Sequence, residues 1–166
     1  MIKQLTNIFL ANIFIASCGI YSFTGASIPA DAETVSVAYF TTKSTNTPAT
    51  LNQTLTEGLR DLFINETNLN LTERDADLSF NGQITKYQLK PMAIKANETA
   101  VKNRLTIAIK VKYNNSFDEQ QKFESTFSRY RDFNSTKNLA DVEDILIDEI
   151  AKKLLEDLYN NAFVNW

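Results

Sequence analysis

Apolar and polar residues alternate along four segments of this chain, with the period of two that is typical of β-strands. The four segments are Thr34–Phe40, Ala76–Leu89, Val101–Tyr113 and Gln121–Arg131. In the first segment, Val35, Val37 and Tyr39 are expected on one side of the strand. In the second, the alternation changes parity near Lys86, which predicts a bulge or bend in a long strand that closes at Pro91.

Two further segments repeat their apolar residues every three to four positions, as amphipathic helices do. The first helix follows Pro48, and we expect Thr50 as its N-cap, with Gln53 completing a capping box. Its apolar stripe consists of Leu51, Leu55, Leu59, Leu62 and Phe63. Gly58 either weakens this helix or lets a neighbouring element approach closely, and Asn65–Asn68 ends it.

The second helix is expected at about Leu139–Asn160, where apolar residues recur every four positions and acidic residues occupy the first turns. The C-terminal Phe163 and Trp166 are expected to fold back onto the core, and the alternative is a contact with a partner or a membrane. The order strand, helix, three strands, helix predicts an α+β fold. In this fold two helices pack on one face of a roughly four-stranded mixed β-sheet.

The only cysteine of the chain ends a motif that lipoprotein signal peptidase cleaves. Ile15-Ala16-Ser17-Cys18 has the order apolar, small, small, cysteine, and Lys3 supplies a positively charged start. The apolar segment Ile8–Ala16 is much shorter than the roughly 20 residues of a membrane-spanning helix. We therefore predict a signal peptide at residues 1–17 and a covalent diacylglycerol and N-acyl lipid on Cys18. The alternative is a buried N-terminal element with an ordinary core cysteine.

This processing divides the chain into three parts. Residues 18–32 are the expected lipidated N-terminus and tether, and residues 33–166 form a single α+β domain. A domain of that length is large enough to bury a core of its own.

The composition argues against most kinds of catalytic site. The chain has no histidine and one cysteine, which excludes Ser-His-Asp and Cys-His catalysis and His/Cys zinc sites. We predict no enzyme activity, no metal and no cofactor beyond the covalent lipid, although an enzyme that uses carboxylates alone remains an alternative. The formal net charge of −3 conceals a basic middle, Gly82–Arg131, and an acidic end, Asn138–Asn160.

Four segments together resemble the LptE family of lipopolysaccharide-assembly lipoproteins, in the form found in the Bacteroidetes. The segments are Cys18-Gly-Ile-Tyr-Ser-Phe-Thr-Gly, Ala76-Asp-Leu-Ser-Phe-Asn-Gly-Gln-Ile-Thr-Lys-Tyr, Pro91-Met-Ala and Val142-Glu-Asp-Ile-Leu-Ile-Asp-Glu-Ile-Ala. The resemblance covers essentially the whole mature chain and rests on the order and spacing of the segments.

The resemblance implies a non-enzymatic protein that plugs the lumen of the LptD β-barrel, helps the barrel to assemble and contacts lipopolysaccharide in passage. The expected partners are an LptD-like outer-membrane β-barrel, lipopolysaccharide and, through the anchor, outer-membrane lipid; no nucleic acid is expected. The alternative is a pilotin-like lipoprotein that assembles another outer-membrane complex, such as a secretin. Gly19 follows Cys18, so the Asp that retains lipoproteins in the inner membrane of enterobacteria is absent from this position. The acidic run that sends many Bacteroidetes lipoproteins to the cell surface is absent as well. We therefore expect the anchor to lie in the periplasmic leaflet of the outer membrane.

One strand carries a row of basic residues opposite its apolar row. The row consists of Lys102, Arg104, Lys110 and Lys112. These side chains are expected to face away from the helices, where they are candidates for contact with lipopolysaccharide phosphates or with the barrel. The alternative is a solvated sheet face that lysines keep soluble.

Overall fold

Two helices cover one face of a mixed six-stranded sheet in the computed structural model, which describes residues 28–92 and 101–164. The strands are β1 (Thr34–Val37), β2 (Thr41–Thr42), β3 (Asn70–Leu71), β4 (Leu78–Met92), β5 (Lys102–Asn115) and β6 (Phe123–Asn134). The helices are α1 (Ala49–Glu66) and α2 (Glu143–Phe163). Short 3₁₀ turns at Glu119–Gln121 and Leu139–Asp141 precede β6 and α2.

The sheet order is β3-β1-β4-β5-β6, and β2 pairs separately with β4. β1 runs parallel to β3 and β4, whereas β4, β5 and β6 form an antiparallel meander. The prediction of an α+β fold with two helices and a mixed sheet is therefore confirmed. The prediction of four strands is wrong, because β2 and β3 contain 2 residues each. Segments that short show no alternation in a sequence, and the observed order becomes β-β-α-β-β-β-β-α.

The first strand is shorter than its alternation predicts. β1 ends at Val37, and Tyr39 is 56% exposed while Phe40 is fully buried. The Phe40 N–H donates to Thr56 Oγ1 at 3.0 Å, and Asn52 Nδ2 donates to the Phe40 carbonyl at 2.6 Å. These two bonds to α1 turn the chain so that Phe40 faces the core. The prediction that Tyr39 shares a side with the buried valines is wrong for this reason.

The bulge predicted near Lys86 is confirmed. The register between β4 and β5 shifts between Ile84 and Lys86. Ile84 before the shift is buried, and Tyr87 after it also packs against the core. Lys86 is thereby turned to the opposite face of the sheet, and β4 continues through Pro91 to Met92.

The first helix begins differently from the predicted capping box. Its N-cap is Pro48, which makes no side-chain capping hydrogen bond, and Thr50 lies inside the helix. Proline needs no N–H at a helix start, and the Leu51 N–H already donates to the Pro48 carbonyl at 3.1 Å. The predicted role of Thr50 as N-cap is therefore wrong. The close approach foreseen at Gly58 is present, since a Cβ there would lie 2.8 Å from Leu155 Cδ1 of α2.

Aromatic rings from both layers join the centre of the core. Phe63 of α1, Phe80 of β4, Tyr113 of β5 and Phe163 of α2 are each at most 1% exposed and contact one another. The prediction that Phe163 folds back onto the core is confirmed. Residues 1–27, and with them the predicted signal peptide and Cys18, lie outside the described residues, as does Trp166.

Candidate functional site

The four basic residues singled out from the sequence all lie on β5, on the side of the sheet away from α1 and α2. We call this side of β4, β5 and β6 the outer face. The basic residues of β5 on this face alternate with buried residues on the other face, namely Leu105, Ile107, Ile109, Val111 and Tyr113. The alternation of a β-strand therefore places the predicted basic row as expected, although two separate clusters result.

Arg104 is held at one end of the outer face by two neighbours on β6. Its guanidinium makes a bidentate ion pair with Asp132, with Nε–Oδ1 at 2.6 Å and Nη2–Oδ2 at 2.8 Å. The same guanidinium lies 3.6 Å from the ring centroid of Tyr130, a cation–π contact. The hydrogen bond with Arg104 lowers the pKa of Asp132, and in return it raises the pKa of Arg104. Arg104 is thus a positioned cation with part of its charge already compensated.

Two further cations surround this pair. Lys90 of β4 lies in register opposite Arg104, and Lys102 is two residues before it on β5. Lys102, Asp132, Phe133 and Asn134 line a small cleft of about 140 Å³. We call Lys90, Lys102 and Arg104 the Arg104 cluster. Among the described residues it carries three cations, and the carboxylate of Asp132 lies beside them.

Lys110 and Lys112 form the second group, which we call the Lys110 cluster. Lys110 makes an ion pair with Glu124 of β6, and Lys112 lies in register opposite the same Glu124. The hydrogen bond with Lys110 lowers the pKa of Glu124, and the charge of Lys112 adds to the effect. Two ammonium groups therefore share one carboxylate that is itself half exposed.

The two clusters do not form a single binding site. Arg104 and Lys110 lie six residues apart on β5, which corresponds to about 20 Å at ~3.4 Å per residue. One small anion cannot reach both clusters, whereas a ligand with two separated phosphates or an extended partner surface can.

Sequence reasoning missed two further cations of the outer face. Lys86 and Lys90 of β4 lie in register opposite Ala108 and Arg104, so they share the outer face with the basic row of β5. Both are exposed. The parity change near Lys86 contained this information, because residues that alternate with a core-facing Tyr87 must face outward.

A second feature of the molecule is a groove of about 520 Å³ between the two helices. Gly58 and Leu62 of α1 line it together with Ala151, Leu155 and Tyr159 of α2. The Tyr159 hydroxyl is buried and has no hydrogen-bond partner among the described residues. Burial, with a smaller contribution from the charge of Glu66, raises the pKa of this hydroxyl.

Three carboxylates, those of Glu66, Asp148 and Glu156, line the helix groove, and eight residues of α2 separate Asp148 from Glu156 by about 12 Å. Within residues 28–92 and 101–164, no group of three metal-ligating side chains converges. Nor is any helix in the described part of the chain long and apolar enough to cross a membrane.

A family model described as "LptE: Lipopolysaccharide-assembly" matches residues 32–162. The match includes every strand of the sheet and both helices almost in full. No curated protein shows a significant sequence match to the chain.

Solved structures share the fold at low sequence identity. A putative neuraminyllactose-binding hemagglutinin homolog from Helicobacter pylori is similar over 84% of this chain and 88% of its own, with 8% identity and a TM-score of 0.52. A hypothetical protein from Chlamydia trachomatis is similar over 79% and 98% of the two chains, with 7% identity and a TM-score of 0.51. A protein from Xanthomonas campestris is similar over 82% and 91%, with 14% identity and a TM-score of 0.50. Such likenesses show a common fold and no more.

Proposed function

Because the chain belongs to the LptE family of lipopolysaccharide-assembly lipoproteins, we propose that it partners an LptD-like β-barrel in the outer membrane. In this role it plugs the barrel and takes part in the transport of lipopolysaccharide, and it catalyses no reaction. The observation that carries the proposal is the extent of the family match, residues 32–162, which takes in both layers of the fold.

We further propose that a lipid on Cys18 holds the domain at the periplasmic leaflet of the outer membrane. The motif Ile15-Ala16-Ser17-Cys18 supports the attachment. Several acyl chains on one residue hold a protein at a membrane, since each buried CH₂ contributes about 0.8 kcal/mol.

The outer face is the proposed contact surface for lipopolysaccharide phosphates or for the barrel. Its cations on β4 and β5 outnumber the carboxylates on β6. The cations are Lys86, Lys90, Lys102, Arg104, Lys110 and Lys112, and the carboxylates are Glu124 and Asp132. Lipid A and the core sugars carry phosphates and carboxylates, which bind Lys and Arg through charge-assisted hydrogen bonds. The spacing of the two clusters suits a ligand with separated anionic groups.

Copurification from the native outer membrane tests the partnership. The full-length lipoprotein, tagged at its C-terminus and extracted in detergent, is expected to capture a large β-barrel protein together with lipopolysaccharide. Depletion of the lipoprotein is expected to lower both surface lipopolysaccharide and the amount of folded barrel. Capture of a secretin in place of the barrel, or normal surface lipopolysaccharide after depletion, would contradict the proposal.

A quadruple variant tests the outer face. Replacing Lys102, Arg104, Lys110 and Lys112 with Gln is expected to weaken binding of purified lipopolysaccharide or of the barrel at least tenfold. The matched control replaces Lys152 and Lys153 of α2 with Gln, since both are exposed lysines on the other layer of the protein. If the quadruple variant binds both partners as tightly as the control does, the outer face is only a solvated surface.

A further inference from the structure

The two edges of the sheet differ in length and regularity. One edge ends at β3, which has 2 residues, and the other is β6, which has 12 residues. β6 spans about 40 Å at ~3.4 Å per residue. Its pairing with β5 runs from Phe123 to Asn134 without a register shift, and it contains no Pro, Gly or Lys. Proteins blunt their sheet edges with short strands, bulges, proline, lysine and other charged side chains. Of these devices β6 has only charged side chains, and each of them is held in an ion pair.

The direction of the backbone groups of β6 follows from its pairing. The Ser135 N–H donates to the Val101 carbonyl at 3.1 Å, which makes these residues a hydrogen-bonded pair of the antiparallel ladder. Every second residue of β6 before Ser135, that is each odd-numbered one, bonds to β5 in the same way. The even-numbered residues of β6 therefore direct their N–H and C=O groups away from β5. The Asn134 carbonyl accepts from the Lys137 N–H at 3.0 Å.

Five residues of β6 therefore present outward backbone groups over the length of the edge. These residues are Glu124, Thr126, Ser128, Tyr130 and Asp132. All five are exposed, and among the described residues no strand other than β5 pairs with β6. The arrangement is a template for an added strand.

Ion pairs make the helix-facing side of this edge polar. Arg129 donates to Asp157 of α2 at 2.5 and 2.6 Å, and Arg131 Nε lies 2.7 Å from Glu149 Oε2. Charged residues that point inward from an edge discourage indiscriminate pairing. Here α2 neutralises both arginines, so they repel no incoming strand. An apolar strand would desolvate these ion pairs, whereas a polar strand can hydrogen-bond to them.

On the outer face, uncharged side chains with hydroxyl or aromatic groups occupy the middle of β6. Thr126, Ser128 and Tyr130 lie between Glu124 and Asp132, the two carboxylates that pair with β5. Across an added strand, Thr and Ser pair well with hydroxyl residues, and Tyr pairs well with β-branched or aromatic ones. Both sides of the edge thus favour a polar strand with Thr, Ser or β-branched residues at its centre.

We infer that the β6 edge binds, by strand addition, an extended polar segment of the β-barrel partner. The inference rests on the proposed function, which supplies the partner. The interior of a membrane β-barrel is polar, and its strands already pair with one another. The added segment is therefore a lumenal or periplasmic loop of the barrel protein, whose backbone is free to pair.

A proline at an outward-facing position tests the inference. Ser128→Pro removes an outward N–H and leaves the hydrogen bonds to β5 intact, since proline is tolerated where the N–H of an edge strand faces solvent. Ser128→Ala is the matched control, because it keeps the N–H. In copurification from the native outer membrane, Ser128→Ala is expected to recover as much barrel as the wild type and Ser128→Pro at most a tenth of it.

The outcomes separate this inference from the proposed function. Barrel recovery by the wild type and equally by Ser128→Pro overturns strand addition and leaves the partnership standing. No barrel recovery by the wild type overturns both. Circular dichroism checks that Ser128→Pro is folded, and Thr126→Pro replaces it if it is not.

Hydrogen exchange gives a readout that needs no variant. In the free lipoprotein the outward amides of Thr126, Ser128 and Tyr130 are expected to exchange fast, and the inward amides of Phe127 and Arg129 slowly. In the purified complex with the barrel, exchange of the three outward amides is expected to slow at least tenfold. Unchanged exchange of these amides in the complex overturns the inference.

Discussion

The ring of Phe40 lies directly on the backbone of Gly82, where a Cβ would overlap Cδ1, Cε1 and Cζ of the ring. Phe40 is fully buried and its backbone is bound to α1 through Thr56 and Asn52. Because the Phe40 backbone is bound to α1 and its ring is fully buried, the ring has little room to move away from β4. The glycine is therefore a requirement of the packing between α1 and the sheet.

Gly82→Ala is expected to destabilise the protein by about 1–3 kcal/mol, the usual cost of forcing extra atoms into a packed core. Urea unfolding followed by circular dichroism measures the change. Gly58→Ala is the control. Its Cβ meets only the flexible Leu155 Cδ1, and alanine gains about 1 kcal/mol of helix propensity over glycine. A Gly82→Ala variant as stable as Gly58→Ala would show that Phe40 is not held as described.

Tyr113→Phe is expected to raise the free energy of unfolding by about 1 kcal/mol. The Tyr113 hydroxyl is buried in the aromatic core and has no hydrogen-bond partner among the described residues. Removing it relieves the cost of burying an unsatisfied polar atom and keeps the ring contacts with Phe80 and Phe123. Thermal unfolding at neutral pH measures the difference. A less stable variant would mean that the hydroxyl has a partner.

The same hydroxyl predicts a loss of stability in alkali. Burial raises the pKa of Tyr113 well above its ordinary value, so the folded state keeps the proton to a higher pH than the unfolded state does. The free energy of unfolding is therefore unaffected by ionisation of this group below the ordinary tyrosine pKa of about 10, and it falls as the pH rises from there toward the folded pKa. The advantage of Tyr113→Phe over the wild type is therefore expected to widen above about pH 10. Tyr39→Phe, which alters an exposed tyrosine, is the control.

Asp77→Asn is expected to lower the urea midpoint at neutral pH. The Asp77 carboxylate accepts hydrogen bonds from the Thr34 hydroxyl at 2.7 Å and from the N–H groups of Thr34 and Glu33 at 2.9 and 3.0 Å. The hydrogen bond from the Thr34 hydroxyl is the main cause of the lowered pKa of Asp77. These bonds join the start of β1 to the segment before β4.

The contribution of Asp77 to stability depends on pH in the opposite direction to that of Tyr113. A carboxyl group with a lowered pKa stabilises the fold above its ordinary pKa of about 4, and this contribution is lost as the pH falls through the folded pKa. The difference in urea midpoint between wild type and Asp77→Asn is therefore expected to shrink from pH 7 to pH 3. Asp75→Asn, at an exposed carboxylate two residues earlier in the chain, serves as the control. A constant difference for Asp77→Asn would exclude an ionised acceptor.

Cys18→Ala is expected to abolish incorporation of labelled palmitate and to move the protein out of the membrane fraction. The chain has no other cysteine, so no second thiol can accept a lipid. Ser22→Ala is the control beyond the cleavage motif and is expected to keep both the label and the membrane fraction. Labelled Cys18→Ala protein would contradict lipidation at this residue.

The sequence predicted the long elements well. β4, β5, β6, α1 and α2 have strong periodicities because each buries one face against the same core, and the bulge near Lys86 was visible as a change of parity. The two-residue strands β2 and β3 were not predictable in this way. They are held by pairing with β4 and β1, which are distant in the sequence.

The candidate site was predicted in part. Alternation along β5 placed its four cations on one face, because a strand directs successive side chains to opposite sides. Their division into two clusters, and the pairing of Arg104 with Asp132, depend on which residues of β6 lie opposite. That register is a property of the assembled sheet.

The sequence by itself determined the class of fold, the family, the predicted lipid attachment at Cys18 and the direction of the basic row. Each of these depends on local periodicity, on a contiguous motif or on the order of segments along the chain. Only the tertiary structure decided that Phe40 rather than Tyr39 enters the core, that Gly82 must lack a side chain and that β6 is a long open edge. These features arise from contacts between residues far apart in the chain. A local pattern of apolar and polar residues does not specify which distant residue will pack against a given position, or whether that position will stay exposed.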